Sequence, residues 1–383
     1  MRNGWECMNS SDQLGIEHSG TMNAMKSETL VSLALDIGAA TVGVTSAEPF
    51  DREERAITDA VADGRSGLLR FTYDAPHTST HLTESFEWAR SVVAVTLNYV
   101  GDSTAPADTG PLIARFAQSD RYESVRRITA ALADAIRNVG GRAEELIDDN
   151  RLVDRAASTR SGAGWQGKST MVLAPGHGPW LLLGSVVTDL DLEATLPMKR
   201  DCGTCSACIP ACPTGAITDQ GLNAARCIST WLQTAGSMPL WIRPLIGRRI
   251  YGCDDCLTSC PPGMRTLDTQ GKTNQPHDFA ELLALTDDQL LDQFSWWYVP
   301  RRDGRFIRRN LLVAAGNSRE SDLFQSVQGH LSHRSSMIRG HAAWALARSE
   351  APGAGEALEE ALKSETVEEP RIEIGHALEM LAS

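Results

Sequence analysis

Cysteine spacing is the feature of this sequence that most directly indicates chemistry. Eight of the nine cysteines lie between residues 202 and 260. They form the run C-x2-C-x2-C-x3-C-P, the run C-x2-C-x3-C-P and one cysteine between the two: Cys202, Cys205, Cys208 and Cys212; Cys253, Cys256 and Cys260; and Cys227. The first run is typical of [4Fe–4S] ligation. Eight thiolates are enough for two such clusters, so the pattern predicts a protein that transfers electrons.

The expected ligand sets follow from the way paired runs bind two clusters. In two-cluster ferredoxins the fourth cysteine of each run binds the cluster of the other run. The second run lacks a first cysteine, and Cys227 can supply one from 26 residues upstream of Cys253. The two predicted sites are Cys202, Cys205, Cys208 and Cys260, and Cys253, Cys256, Cys227 and Cys212.

Zinc and disulfides are the two other uses of such cysteines. Paired C-x2-C segments suit tetrahedral zinc, but a zinc site needs neither the third cysteine nor the proline that follows both runs. Disulfides form in oxidising compartments, and the first 25 residues contain no apolar segment of a signal peptide. The sequence therefore favours two [4Fe–4S] clusters in a cytoplasmic protein.

Composition and charge limit the classes of protein to which this chain can belong. The 383 residues are 42% hydrophobic and 22% charged, and no apolar run approaches the roughly 18 residues that would span a bilayer. We therefore expect no membrane segment. The net charge of −13 argues against indiscriminate binding to nucleic acid, although a local basic surface remains compatible with it.

The chain divides into a polar start and three folded parts, which predicts an α+β multidomain protein. Residues 1–27 are unpatterned and are expected to be a disordered leader. Residues 28–198 alternate between helical and strand patterns, with a helix expected at 120–138 and strands at 90–99, 170–175 and 180–190. Residues 199–270 form a ferredoxin-like module that needs little hydrophobic core because ligation supplies much of its folding energy. Residues 275–383 are helical.

The helical part contains a weak repeat. Residues 310–318 (NLLVAAGNS), 341–349 (HAAWALARS) and 376–383 (HALEMLAS) resemble one another at offsets of 31 and 35 residues. Small apolar residues every three or four positions, at a period in the thirties, favour stacked helix pairs of the HEAT type. The alternative is an ordinary helical bundle with alanine-rich faces.

Several motifs together resemble epoxyqueuosine reductase, over about residues 90–350. They are the acidic segment Ile147–Arg155, the sequence GAGWQGK at 162–168, the strand that leads to Thr188-Asp189, the run CGTCSACIPACPTGA, the segments Arg226–Ser229 and Arg249–Cys256, and the HEAT-like helices. The resemblance implies an oxidoreductase that reduces the epoxide of epoxyqueuosine in the tRNA wobble position to queuosine. It also implies cobalamin, as cob(II)alamin and cob(I)alamin, supplied with electrons by two [4Fe–4S] clusters.

The resemblance implies roles for individual residues as well. Asp148 takes the position of the acid that protonates the departing epoxide oxygen. The positions expected to contact cobalamin are Asp148, Lys168, Val172, Leu183, Ser229, Cys253, Asp254, Asp255 and Cys256. The cluster of Cys212, Cys227, Cys253 and Cys256 is expected to lie nearest the cobalt. For the glycines around Trp165 there are two interpretations: they admit a flat ligand that Lys168 contacts, or they shape a turn and Lys168 is solvated.

The chain departs from the family pattern at three places. Arg151 stands where the family has a proline, Asp154-Arg155 stands for a Glu-Arg pair, and residues 121–123 read Arg-Tyr-Glu in place of Asp-Tyr-His. An arginine expected to touch the cofactor, upstream of the strand at 90–99, has no counterpart here. These departures leave room for a related enzyme with another substrate.

Two basic stretches are candidates for tRNA binding. Residues 241–252 carry three arginines without an acid, and residues 296–310 carry five arginines, one aspartate and several aromatic residues. Arginine forks suit phosphate oxygens and aromatic rings can stack on bases. The predicted contacts are Arg248, Arg249, Arg301, Arg302 and Arg305; the alternative is that these arginines form ion pairs within the protein.

Two other functions remain open at this point. One is a cobalamin-dependent reductase of a small molecule, and the other is a ferredoxin-like electron-transfer subunit of a larger complex. For the leading interpretation we expect a monomer that binds tRNA carrying epoxyqueuosine and takes electrons from an external low-potential donor.

Overall fold

The computed structural model describes residues 25–102, 109–268 and 277–382. The N-terminal α/β domain contains helices α1 (Ser27–Asp36), α2 (Asp51–Ala62), α3 (Phe71–Asp74), α4 (Pro76–Thr80), α5 (Leu82–Ser85), α6 (Tyr122–Asn138) and α7 (Asp154–Arg160). Its strands are β1 (Thr41–Ser46), β2 (Ser91–Asn98), β3 (Leu112–Ile113), β4 (Ala143–Leu146), β5 (Trp165–Gln166), β6 (Val172–Leu173) and β7 (Leu181–Thr188).

A four-stranded antiparallel sheet of order β1-β2-β7-β4 organises this domain. The β2 strand reads SVVAVTLN and is buried along nearly its whole length, because both faces of the sheet are covered. Helices α1 and α6 cover the face that carries Val93 and Val186. Helix α7 and the segment from Ala47 to Ala89 cover the face that carries Val92 and Val187. The sheet therefore holds the loop between β4 and α7, which contains Asp148, at one edge.

The cluster module follows and is made of short elements. They are α8 (Cys208–Ala211), β8 (Ile217–Thr218), β9 (Gly221–Leu222), α9 (Ile228–Leu232), α10 (Arg243–Ile246), β10 (Arg249–Tyr251), α11 (Asp255–Thr258) and α12 (Pro261–Asp268). The expectation of a small hydrophobic core is wrong for its middle part. Ile228, Leu232, Ile242 and Ile250 are buried in one apolar core with the C-terminal helices, because this segment lies against them.

The C-terminal helices are α13 (Phe279–Ala284), α14 (Asp287–Gln293), α15 (Arg305–Ser318), α16 (Phe324–Gln328), α17 (Ser336–Ser349), α18 (Ala354–Ser364) and α19 (Glu368–Ala382). The three similar segments of the sequence lie on α15, α17 and α19, which pack against one another in that order. Gly316 permits the close approach of the first two, since a Cβ there would lie 2.8 Å from the Ala345 Cα. Repetition in the sequence thus corresponds to stacking of equivalent helices.

The three parts share contacts near the start of α6. Strand β3 pairs in parallel with β10 of the cluster module. The indole nitrogens of Trp296 and Trp297 both donate to the Ala117 carbonyl, at 2.9 and 2.7 Å. Residues 112–117 of the α/β domain are therefore held between the cluster module and the helical domain.

Most predicted elements of the α/β domain are present with shifted ends. Strands β2 and β7 and helix α6 occupy the predicted ranges, whereas only Val172–Leu173 of the expected strand at 170–175 is extended and paired. The folded domain begins before the predicted boundary at residue 27. Ser27 starts α1, where its hydroxyl donates to the Glu193 carbonyl at 2.7 Å, and Met25 packs on the core. Residues 1–24 of the predicted leader lie outside the described residues.

No helix within the described ranges combines the length and apolar character that a membrane crossing requires.

Candidate cluster and active site

The eight cysteines lie on loops and at the ends of short helices. Cys208 begins α8, Cys227 precedes α9, and Cys256 lies in α11. The other five are in the connecting segments, at Cys202, Cys205, Cys212, Cys253 and Cys260. Loops suit cluster ligands because backbone N–H groups left free of regular structure can face the sulfurs. One example is the Ala216 N–H, which donates to the Cys212 Sγ at 3.2 Å.

Electrostatic coupling between the thiols indicates which of them lie closest together. Burial raises the pKa of the Cys260 thiol, and its neighbours Cys202, Cys205 and Cys208 raise it further. Burial likewise raises the pKa of the Cys256 thiol, and the thiols that add most to this are Cys253 and Cys227. Cys260 therefore lies with the first run, and Cys227 lies with the second. Cys212 is not coupled in this way, and its assignment stays a prediction.

The distances between the sulfurs bear on the choice between zinc and clusters. One zinc ion draws four sulfurs together at Zn–S distances of about 2.3 Å, which places them about 4 Å apart. Within the described part of the chain, no three of these sulfurs lie within 4.8 Å of one another. A four-iron cube holds each thiolate on a different iron and needs the wider spacing. The arrangement favours clusters over mononuclear zinc.

Lys168 lies beside the first group of cysteines. Its backbone N–H donates to the Cys202 Sγ at 3.4 Å, and its ammonium donates to the Gly203 carbonyl at 3.0 Å. Both contacts connect the GAGWQGK segment to the loop that carries the first run. The predicted contact between Lys168 and a cofactor stays a prediction.

The glycines of the GAGWQGK segment have a packing role. A Cβ at Gly162 would lie 2.2 Å from the Leu196 carbonyl oxygen, and one at Gly164 would lie 2.4 Å from a methyl of Val172. These glycines let the segment fold against its own domain, and the choice between the two interpretations stays a prediction. Val172 is buried beside Leu181, and the half-buried Leu183 packs on the same small cluster. The structure thus brings two of the predicted cofactor contacts together.

Asp148 lies on the loop between β4 and α7 with a positive φ of 50°. Such a backbone conformation is uncommon for a residue with a side chain, and it is found more often at functional sites than elsewhere. The structure leaves Asp148 exposed, so that any shielding from water has to come from a bound ligand.

Three side chains from separate segments surround Asp148. Burial raises the pKa of the Tyr122 phenol, and the charge of Asp148 together with a hydrogen bond to it adds to this rise. Burial also raises the pKa of Asp154 well above its usual range, with a further contribution from Asp148. Among the described residues, Asp154 Oδ1 has no hydrogen-bond partner and no contact with solvent. Burial again raises the pKa of Tyr251, and Asp148 contributes.

Tyr251 connects this group to the cluster module. Its hydroxyl lies 3.3 Å from the Gln233 Oε1 and donates to the Tyr298 carbonyl at 3.0 Å. Gln233 in turn donates to the Ser229 hydroxyl at 2.9 Å. Ser229, a predicted cofactor contact, therefore belongs to a chain of polar groups that reaches the surroundings of Asp148. This chain begins two residues after the expected ligand Cys227.

The two aspartates between Cys253 and Cys256 have different partners. Asp254 accepts the Arg115 backbone N–H at 2.8 Å, and burial raises the pKa of this carboxyl to about 6. Asp255 accepts from the Arg249 guanidinium, with both of its oxygens 2.7 Å from one nitrogen. Arg249, predicted to bind tRNA, is thereby half-buried beside the second group of cysteines.

Sequence reasoning missed several members of this site. Tyr122 belongs to residues 121–123, which depart from the family pattern, but the sequence of these residues does not show that the phenol lies beside Asp148. Gln233 and Tyr298 carried no signal, because single polar residues without a pattern are indistinguishable from surface residues. Arg115 acts through its backbone N–H, which no motif of side chains can reveal.

The remaining arginines of the predicted tRNA surface lie at the start of the helical domain, with one exception. Arg248 donates to the Gly110 carbonyl at 2.6 Å. Arg305 pairs with Asp303, whereas Arg301 and Arg302 are exposed. Arg301, Arg302 and Arg305 line a shallow cleft of about 600 Å³ between α14, the loop before α15 and the loop before α17.

Two other arginines of the same basic stretch point inward. Arg308 is buried and pairs with Asp287 at 2.6 Å. Arg309 is completely buried and donates to backbone carbonyls of residues 231, 234 and 236. In the other stretch, Arg243 is buried and paired with Glu373. The alternative of internal pairing thus holds for part of each stretch.

Comparison with known protein families identifies two of the three parts. A 4Fe–4S double cluster binding domain matches residues 201–263, and HEAT repeats match residues 305–379. These matches confirm the predicted pair of [4Fe–4S] clusters, and they confirm the HEAT-type helices of the C-terminal part. The fold and the site define an iron–sulfur oxidoreductase with an α/β domain and a helical-repeat tail.

Individual relatives narrow this class. The chain is 30% identical over 380 residues to epoxyqueuosine reductase of Bacillus subtilis (strain 168), which covers 92% of this chain and 95% of that protein. It is also similar to a solved epoxyqueuosine reductase with a tRNA-Tyr epoxyqueuosine-modified tRNA stem loop, with a TM-score of 0.83 and 29% identity over 93% of this chain and 98% of the other. This chain belongs to the epoxyqueuosine reductase family.

A second solved structure is also similar to this chain. It is the Bacillus subtilis epoxyqueuosine reductase with its aspartate-bearing catalytic loop swung out of the active site, and it matches with a TM-score of 0.81 and 29% identity over 92% of this chain and 98% of that one.

Proposed function

We propose that this protein reduces the epoxide of epoxyqueuosine in the wobble position of tRNA to queuosine, with cobalamin as the cofactor at Asp148. One observation carries the proposal: in a chain of this family, the charge of Asp148 acts on Tyr251, whose hydroxyl lies 3.3 Å from Gln233 in the segment from Cys227 to Cys256. A proton source and an electron source thus face one region.

The polar groups in this region fit a corrin. Its amide side chains need hydrogen-bond donors and acceptors, and the hydroxyls of Tyr122, Ser229 and Tyr251 and the amide of Gln233 supply both. The residues that would hold the cofactor are these four together with the predicted contacts from Asp148 to Cys256. Cobalamin would supply two low-potential electrons to the epoxide, and the clusters would deliver them one at a time from an external donor.

Proton supply is the task of the protein in this reaction. Converting an epoxide to an alkene takes two electrons and two protons and releases the oxygen as water. Asp148 can give one proton to the departing oxygen, because it is exposed on the loop between β4 and α7, where a bound substrate can reach it. Asp154 and Tyr122 both retain their protons, since burial and the charge of Asp148 disfavour their anions. Tyr122 can also hydrogen-bond to Asp148 and so help to hold it in place.

Substrate binding through the anticodon stem loop is supported by the relative that was solved with such a stem loop. In this chain, Arg301 and Arg302 are the exposed members of the predicted set. We place the tRNA backbone along the cleft that they line, because a local basic surface can bind phosphates on a protein whose net charge is negative. We further propose that the protein acts as a cytoplasmic monomer.

The test is reduction of a stem loop carrying epoxyqueuosine, by protein loaded anaerobically with cobalamin and both clusters. We expect Asp148→Asn to lower the rate at least 100-fold at unchanged cluster content, since a positioned acid contributes about 10²–10⁴-fold. The neighbouring Asp149 pairs with Arg151, and Asp149→Asn is the matched control that keeps most of the activity. Normal queuosine in the tRNA of a cell that lacks this protein would exclude the proposed function.

A further inference from the structure

A cluster of histidines and carboxylates lies on the α/β domain, apart from the cysteines. One ring nitrogen of His77, one of His81 and one oxygen of Glu54 lie within 4.8 Å of one another. Asp51 lies one turn before Glu54 on α2, and its Oδ1 is 4.0 Å from the His81 Nε2. The two histidines are four residues apart at the ends of α4, which places both on the side that faces α2.

Hydrogen bonds fix the orientation of the His81 ring. The Thr80 hydroxyl donates to the Pro76 carbonyl at 2.8 Å, so its only proton is used there. At 3.1 Å from the His81 Nδ1, the same hydroxyl oxygen can then only accept, which puts the ring proton on Nδ1. The His81 Nε2 is therefore left with a lone pair that points toward Asp51.

His77 has a carboxylate on each side. Its Nε2 lies 2.8 Å from the Glu84 Oε1, and its Nδ1 lies 2.8 Å from the Glu54 Oε1. If Nε2 carries the proton and donates it to Glu84, Nδ1 presents its lone pair next to Glu54. A carboxylate behind the ring is the partner that metal-binding histidines usually have.

We propose that Asp51, Glu54, His77 and His81 form a binding site for one divalent transition-metal ion, with zinc as the best match. Two imidazoles and two carboxylates give four ligands, the number that zinc prefers. Glu84 and Thr80 are the outer partners that set the proton positions on the two rings. The rings now lie face to face, with centroids 3.8 Å apart and planes at 30°.

The site is connected to the catalytic loop. Ser79 lies between the two histidines, and its hydroxyl donates to the Asn150 carbonyl at 2.5 Å, two residues after Asp148. The Phe50 N–H, just before α2, donates to the Thr80 carbonyl at 3.0 Å. A metal ion that joins α2 to α4 would therefore also fix the base of the Asp148 loop. Only this second role rests on the proposed function.

The test is a calorimetric titration of the protein with zinc chloride. The protein is first loaded with both clusters, so that iron occupies the cysteines and they do not bind zinc. We expect one zinc ion per chain. The His77→Gln/His81→Gln variant should bind at least 100-fold more weakly, and Glu84→Gln roughly 10-fold more weakly, since loss of an outer partner costs about 10–100-fold. His177→Gln, at a histidine in the turn between β6 and β7, is the matched control and should bind as the wild type does.

Two results would overturn the metal site: a wild-type protein that binds no zinc, or a double variant that binds it as tightly as the wild type does. Far-ultraviolet circular dichroism checks that the variants are folded. Zinc binding does not depend on the substrate, so a loss of the proposed function would leave this result unchanged. Conversely, intact epoxide reduction in the double variant would exclude only the role in fixing the loop.

Discussion

Replacement of Arg309 tests whether a buried cation of the helical domain holds the cluster module in place. Arg309 is the fifth residue of α15 and is completely buried. Its guanidinium donates to the carbonyls of Trp231, Thr234 and Gly236, at 2.9, 2.9 and 2.5 Å. The contacted segment, residues 231–236, follows Cys227 and Ser229 and contains Gln233. We expect Arg309→Met to destabilise this segment, because methionine fills part of the space but donates no hydrogen bond.

The size of the effect can be worked out from the groups left behind. The Trp231 carbonyl keeps a hydrogen bond from the Thr234 hydroxyl at 3.3 Å. The Thr234 carbonyl and the Asn310 Oδ1 are buried and lose the guanidinium donor, and each unsatisfied buried group costs about 1–3 kcal/mol. The Gly236 carbonyl belongs to an exposed residue and can bind water instead. The free energy of unfolding should fall by about 3–5 kcal/mol, a large part of the roughly 5–15 kcal/mol that holds a typical domain together.

Urea unfolding of the cluster-loaded protein measures this loss. The matched control is Arg319→Met at the end of the same helix, where the side chain is exposed and its contact with Glu350 is 3.5 Å long. An exposed pair of this kind contributes at most about 1 kcal/mol. We also expect the visible absorbance of the clusters to bleach faster in air for Arg309→Met than for the control. If the two variants unfold within about 1 kcal/mol of each other, the inferred role of Arg309 is wrong.

Three further predictions concern the clusters, the helical packing and the tRNA surface. Cys227→Ser should lower the iron content from about eight to about four atoms per chain, and an unchanged content would remove Cys227 from the ligands. Gly316→Ala should cost about 1–3 kcal/mol, because overpacking against α17 exceeds the gain in helix propensity of up to about 1 kcal/mol; a gain in urea resistance would contradict this. A triple variant replaces by alanine the arginines around the cleft, Arg301, Arg302 and Arg305. Its tRNA affinity should fall and its salt slope decrease by about 2–3, whereas an unchanged slope would exclude the cleft as the binding surface.

The sequence was most informative where the signal was local. The spacing of the cysteines is itself the requirement of the cluster site, and the stretch around β2 needs only its own apolar residues to predict a buried strand. The three similar helices could be recognised because each repeat makes the same contacts with its neighbour. In all of these the residues that interact are close in sequence or equivalent in type.

The surroundings of Asp148 could not be predicted in the same way. Tyr122, Asp154 and Tyr251 come from α6, α7 and β10, and only the folded chain brings them to one place. The basic stretch from residue 296 to residue 310 shows that residue type alone does not predict burial either. Its arginines are identical in type, yet Arg301 faces solvent and Arg309 lies in the core, because Arg301 is in the loop before α15 and Arg309 is on the buried face of that helix.

The displaced position of Cys227 can be understood from these contacts. In a continuous run the missing ligand would stand at Ile250, which is completely buried in the core shared with the helical domain. Moving the ligand upstream inserts the segment of α9 and α10 before β10. Asn310 donates to the carbonyls of Leu232 and Ile250, at 2.8 and 2.9 Å, and so closes this insertion onto α15. Tyr251 follows directly and is stacked on Trp297 at 4.2 Å. The helical repeats thus position a polar group that faces Asp148, in addition to any contact with tRNA, and loss of the tail should impair the active site itself.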